Sequence, residues 1–213
     1  MSDQPLNPAV IQSSLGQGVH AALDPDGHLE GAVRQPGFLF AGIVAGAFAL
    51  VGMLTFLLGT KLGFEIWPSF SSVLRELIAL ILEAAVMAAV VFAIVNVLLK
   101  RPEVKPESAA NAVAIALVGR IAADVVLFIA AVIHGRLLAL LSPLEVLVPM
   151  GLLVLAVQRG LGGSLRASLW TAVAAVLAGG IIHSLVVGTG GSPAAQTLEA
   201  INQLQQAWGA VPR

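Results

Sequence analysis

Apolar residues in this chain come in long unbroken blocks instead of alternating with polar ones. Five blocks stand out: Gly37 to Thr60, Leu77 to Leu99, Asn111 to Ile133, Pro143 to Gln158 and Ala167 to Val187. A helix needs ~20 apolar residues to cross ~30 Å of hydrocarbon. The pattern therefore predicts an all-α fold, a polytopic membrane bundle of about five transmembrane helices occupying residues 36–190. The fourth block is the least regular. Ser142-Pro143-Leu144-Glu145 has the signature of a helix start, and Pro149 interrupts the hydrogen-bond ladder inside it, which membrane helices tolerate when neighbours compensate. Residues 1–35 mix Pro, Gly, Ser, Gln and acids, predicting a polar flexible tail with a short helix near Ala9 to Leu15. That start has neither the basic region nor the apolar core of a cleavable signal. At the other end, Leu198, Ile201, Leu204 and Trp208 recur at steps of three and four, predicting an amphipathic C-terminal helix over residues 191–213. Its polar face is glutamine and asparagine rather than lysine, which suits docking on the bundle better than attraction to anionic lipid.

Composition agrees with the pattern. Hydrophobic residues make up 58% of the chain and charged residues 11%, with a mean hydropathy of +0.94. This marks an integral membrane protein whose first partner is the bilayer, and five crossings leave no room for a sizeable soluble domain. A net charge of -1 supplies no basic field for nucleic acid. The chain has no cysteine, which removes disulfides, thiolate metal sites and cysteine nucleophiles together. Orientation follows from basic residues near the span ends. Arg34, Lys100, Arg101, Lys105, Arg159 and Arg166 fall on the N-terminal side, against Lys61, Arg75 and Arg136 on the other, placing the N-terminus in the cytoplasm and the C-terminus outside. Phe64, Trp67 and Phe70 suit a headgroup-level aromatic belt. Gly42 and Gly46 form a small-xxx-small pair that lets helix backbones approach, within the bundle or between two copies.

Chemistry is sparse. Arg120 and Asp124, four residues apart, share one face of the third apolar block. An ionised group at bilayer depth costs ~3 kcal/mol or more, so this face points to a bundle interior or a wet cavity. At ~1.5 Å per residue, Glu83 on the second block reaches the depth of Asp124. Two acids and one arginine can then share a site, either as a proton or cation relay whose charge a proton or a cation balances, or as a charge-matched clasp that fixes the register of the second and third blocks. Glu145 and His183 lie toward the same half as accessory members, although Glu145 also fits a capping box and His183 a hydrogen-bonded packing position. There is no His-Glu-x-x-His motif, no Gly-x-Ser-x-Gly elbow and no phosphate-cradling loop. No cofactor or metal site is expected, and no internal repeat is visible.

Three stretches carry a family resemblance: Arg34-Gln35-Pro36 before the first block, the basic break Lys100 to Lys105, and Val157-Gln158-Arg159-Gly160-Leu161-Gly162-Gly163-Ser164-Leu165-Arg166-Ala167. In layout the chain resembles the Yip family of five-helix, Rab-interacting membrane proteins, which has many bacterial relatives. The resemblance implies a cytosolic N-terminus and a non-enzymatic role in membrane organisation or trafficking, in a bacterial inner membrane. The Asp-Leu-Tyr-Gly-Pro signature of eukaryotic members is missing, and the chain contains no tyrosine, so Rab binding does not carry over. The first expectation is therefore a non-enzymatic scaffold or subunit of a larger complex, with a protein partner or a second copy. The second is a small proton- or cation-coupled transporter built on Glu83, Arg120 and Asp124.

Overall fold

The computed structural model describes residues 8–64, 67–133, 137 and 140–188. Every regular element among them is helical: α1 Pro8–Leu23, α2 Pro25–Val33, α3 Leu39–Phe64, α4 Phe70–Ala93, α5 Pro106–Ile133, α6 Leu144–Leu155 and α7 Leu165–Val187. Helices α4 and α6 each end in a π turn, Ile94–Leu98 and Ala156–Gly160. Among the described residues, four segments are long and apolar enough to cross a membrane: Leu39–Lys61, Phe70–Leu98, Pro106–Ile133 and Leu165–Val187. The fourth apolar block is not among them, because Ser142 and Pro143 form a turn and the helix that follows has only 12 residues.

The polar N-terminal region is not a flexible tail over its described part. Pro25 opens α2 at a position where its missing N–H costs nothing, and Ala21, Leu29, Ala32 and Val33 are fully buried. This helical pair packs on the bundle at the end where α6 runs out. Gly160 makes the approach possible, since a Cβ there would sit 2.6 Å from the Val33 side chain. The neighbouring Arg34 donates from Nε to the Gly160 carbonyl at 3.2 Å. Gly160→Val is expected to destabilise this docking by ~1–3 kcal/mol through overpacking and to expose α1 and α2 to limited proteolysis; an unchanged digestion pattern would contradict the contact. The amphipathic helix expected at 191–213 lies outside the described residues.

The small-xxx-small pair does not pack inside the molecule. Gly42 and Gly46 are exposed, with open space where a Cβ would stand. Helix α3 instead turns Phe40, Val44 and Phe48 to the core and leaves the glycine face uncovered.

An internal repeat emerges that the residue types conceal. After the first π turn, the N–H of Leu99 donates to the Ile94 carbonyl and that of Arg101 to Val95; after the second, Leu161 donates to Ala156 and Gly163 to Val157. Each turn then places a residue in the left-handed region, Lys100 at φ 52° and Gly162 at φ 72°. Aligned this way, Val95-Asn96 matches Val157-Gln158, and Glu83 matches Glu145. The buried Met87, Val91 and Val95 match the buried Pro149, Leu153 and Val157. In the following helices, with the second connection three residues shorter than the first, the buried Ala109, Ala112, Val113 and Ala116 match the buried Ser168, Thr171, Ala172 and Ala175, and Asp124 matches His183. The chain thus holds two like hairpins, α4–α5 and α6–α7. Their largest interfaces are crossed, α4 on α7 and α5 on α6, as a two-fold axis parallel to the helices requires. Glycine sits at both crossings: a Cβ on Gly119 would meet Leu152 and Val148, and one on Gly179 would meet Met87 and Glu83.

Candidate functional site: an ionisable cluster at the hairpin crossings

The trio expected from the sequence, Glu83, Arg120 and Asp124, is divided between two groups. In the first, Arg120 on α5 donates from Nε to Asp124 Oδ1 at 3.2 Å and from a terminal nitrogen to Glu145 Oε1 on α6. Glu145 therefore does not serve the capping box its position suggested, and no side chain caps α6. Its carboxylate joins α6 to α5 instead. In the second group, His183 on α7 lies between two acids of α4. Its Nδ1 is 3.0 Å from Glu83 Oε2, and its Nε2 is 3.5 Å from Glu76 Oε1.

Both groups follow from the repeat. The acid on the first helix of each hairpin, Glu83 or Glu145, reaches across to the second helix of the other hairpin. There it finds a base, His183 in one case and Arg120 in the other. Only one of these bases, the imidazole, can exist either charged or neutral, whereas an arginine keeps its proton. The Arg120 group is a permanent ion pair with a second acid. The His183 group changes charge with a proton.

Burial separates the two groups further. The side chains of Glu76 and His183 are 6% and 7% exposed, whereas Glu145 remains 29% exposed. Glu76 Oε2 and His183 Nε2 are buried with no hydrogen-bond partner. The 3.5 Å between His183 Nε2 and Glu76 Oε1 exceeds hydrogen-bond length, so the ring and that carboxylate stand side by side without bonding. A buried polar atom left this way costs ~1–3 kcal/mol. The groups also sense each other, since Glu83 acts electrostatically on Arg120 and Asp124, and Arg120 acts on His183.

Glu76 is the member that sequence reasoning missed, having been placed in the loop before the second block. Its signal was the spacing to Glu83. Seven residues are two helical turns, which put both acids on one stripe with the buried Leu80 and Met87.

Among the described residues, no group of three or more acids or histidines is arranged to hold a metal ion. A separate groove of about 200 Å³ between α3, α4 and α5, lined by Ala41, Ala45, Ile81, Ala88, Val113 and Leu117, contains no ionisable side chain. Compared with protein-family models, curated proteins and solved structures, the chain matches none.

Proposed function

We propose that this protein is a small proton-coupled membrane transporter whose working residues are the ionisable groups at the hairpin crossings. One observation carries the reading. Four acids, Glu76, Glu83, Asp124 and Glu145, converge with one arginine and one histidine between apolar helices. Even a protonated His183 leaves the set two positive charges short, and protons or a cation must close the difference. Parallel repeats with a polar site at their interface are a recurring transporter plan, and the crossed hairpins supply that plan.

A fifth crossing belongs to the same proposal. Arg34 meets Gly160, and the Arg101 side chain lies over Gly162, so α3, α5 and α7 all start from one basic end. Helix α4 returns the chain between α3 and α5. Residues 140–160, broken at Ser142-Pro143, then belong to the return between α5 and α7. The basic end is cytoplasmic by the distribution of Lys and Arg, as the Yip-like layout also implies.

Reconstituted in liposomes, the protein is expected to move protons down an imposed gradient, and Glu83→Gln to abolish the flux. Equal proton leak in protein-containing and empty vesicles would end this reading. The open glycine face of α3 favours a second reading, a scaffold or complex subunit that binds through that helix. It predicts a stable partner or oligomer on gentle detergent extraction, lost in Gly46→Leu.

A further inference from the structure

We infer that His183 is the proton-exchange centre of the cluster, passing protons between Glu76 and Glu83, and that the species handled at this site is a proton and not a metal cation. The inference rests on the transporter reading above and assigns its substrate. The imidazole ring stands between the two carboxylates, with Glu76 on its Nε2 side and Glu83 on its Nδ1 side. Acids held on opposite sides of a ring cannot close on one ion, whereas a ring with two nitrogens can take a proton on one side and release one on the other.

The step balances. With Nδ1 protonated, it donates to Glu83, and the unpaired Nε2 faces Glu76. A protonated Glu76 gives its proton to Nε2 as its O–H bond breaks and an N–H bond forms. The Nδ1 proton passes to Glu83, where a new O–H bond forms. The ring ends as the opposite neutral tautomer, and the reverse exchange, from protonated Glu83 to Nδ1 and from Nε2 to Glu76, restores the starting one. The only geometric change required is closure of the 3.5 Å gap to hydrogen-bond length, ~2.7–3.2 Å. Such closure would give the orphaned His183 Nε2 a partner in Glu76 Oε1.

The charged groups that face His183 are Glu76 and Glu83 from α4 and Arg120 from α5. Glu145 on α6 is bound to Arg120. Arg120, already bound to Asp124 and Glu145, keeps a fixed positive charge near the ring. Glu76 lies about two turns closer than Glu83 to the start of α4, so the transfer runs along the helix axis.

The test uses the full-length protein with isotope-labelled histidine, with the His183 ring signals assigned from His183→Gln. In the wild type, both ring nitrogens are expected to change state together as the pH is varied. Glu76→Gln should move the Nε2 signal and leave the Nδ1 signal in place. That variant retains the His183–Glu83 hydrogen bond and serves as the folded comparison if His183→Gln does not fold. In liposomes, Glu76→Gln should lower proton flux by about a hundredfold, the low end for losing a positioned proton-transfer group. Sodium and potassium flux should be nil in both proteins. A wild-type proton flux retained by Glu76→Gln, or sodium flux through the wild type, overturns the inference while leaving transport intact. Ring signals that respond as described in a protein that moves no protons overturn the transporter reading and leave the exchange pair standing.

Discussion

Arg120→Leu is expected to lower stability by about 3–5 kcal/mol, the cost of breaking a buried ion pair from one side. The arginine is the shared partner of Asp124 and Glu145, and its removal strands two carboxylates between α5 and α6. Thermal unfolding in detergent, followed by loss of monodisperse protein, measures the effect. Adding Asp124→Asn and Glu145→Gln to the same chain should recover most of the loss, because neutral amides need no counter-charge. A single variant that melts within a few degrees of the wild type would show that Arg120 is not what joins α5 to α6.

Gly179→Leu is expected to do comparable damage by a different route. A Cβ at this position would stand 2.8 Å from Met87 Cγ and 3.0 Å from Glu83 Cγ, so the larger side chain has to force α4 and α7 apart. Overpacking of this kind costs ~1–3 kcal/mol. His183 lies one turn further along α7, and its 3.0 Å hydrogen bond to Glu83 should lengthen as the helices separate. The adjacent Gly180 is an internal control. It is exposed, with open space around its missing Cβ, so Gly180→Leu should change stability by no more than ~0.5 kcal/mol. Equal melting of the two variants would remove the close α4–α7 crossing from the argument.

The bilayer-crossing helices were legible because a continuous apolar block has one physical solution in hydrocarbon. Arg120 and Asp124 were legible for a related reason: four residues apart, they could only share a face. The partners of that pair were harder to read. Depth counting placed Glu83 beside Asp124 but could not tell that α7 lies against α4, so His183 took the contact assigned to Asp124. The repeat was hidden because buried apolar side chains interchange freely. Val91 and Leu153 occupy like positions, and the relation surfaces only in the hydrogen bonding after the two π turns. The N-terminal helices were concealed by economy. Four small or apolar side chains, Ala21, Leu29, Ala32 and Val33, suffice to dock them, too few to stand out in a polar stretch. Gly42 and Gly46 misled in the opposite direction, since their spacing arises readily in any helix rich in glycine.

The crossed pairing also bears on biogenesis. A ribosome releases α4 and α5 into the membrane before α6 and α7 exist, and that first hairpin carries Glu76, Glu83 and Asp124 with Arg120 alone to offset them. Its missing counterpart, His183, is the last of the six groups to be made. Until α7 inserts, the early hairpin has to keep its surplus acids protonated or in contact with water. The insertion machinery therefore meets a first hairpin with three acids against one fixed positive charge, and the second hairpin brings His183 together with a further acid, Glu145.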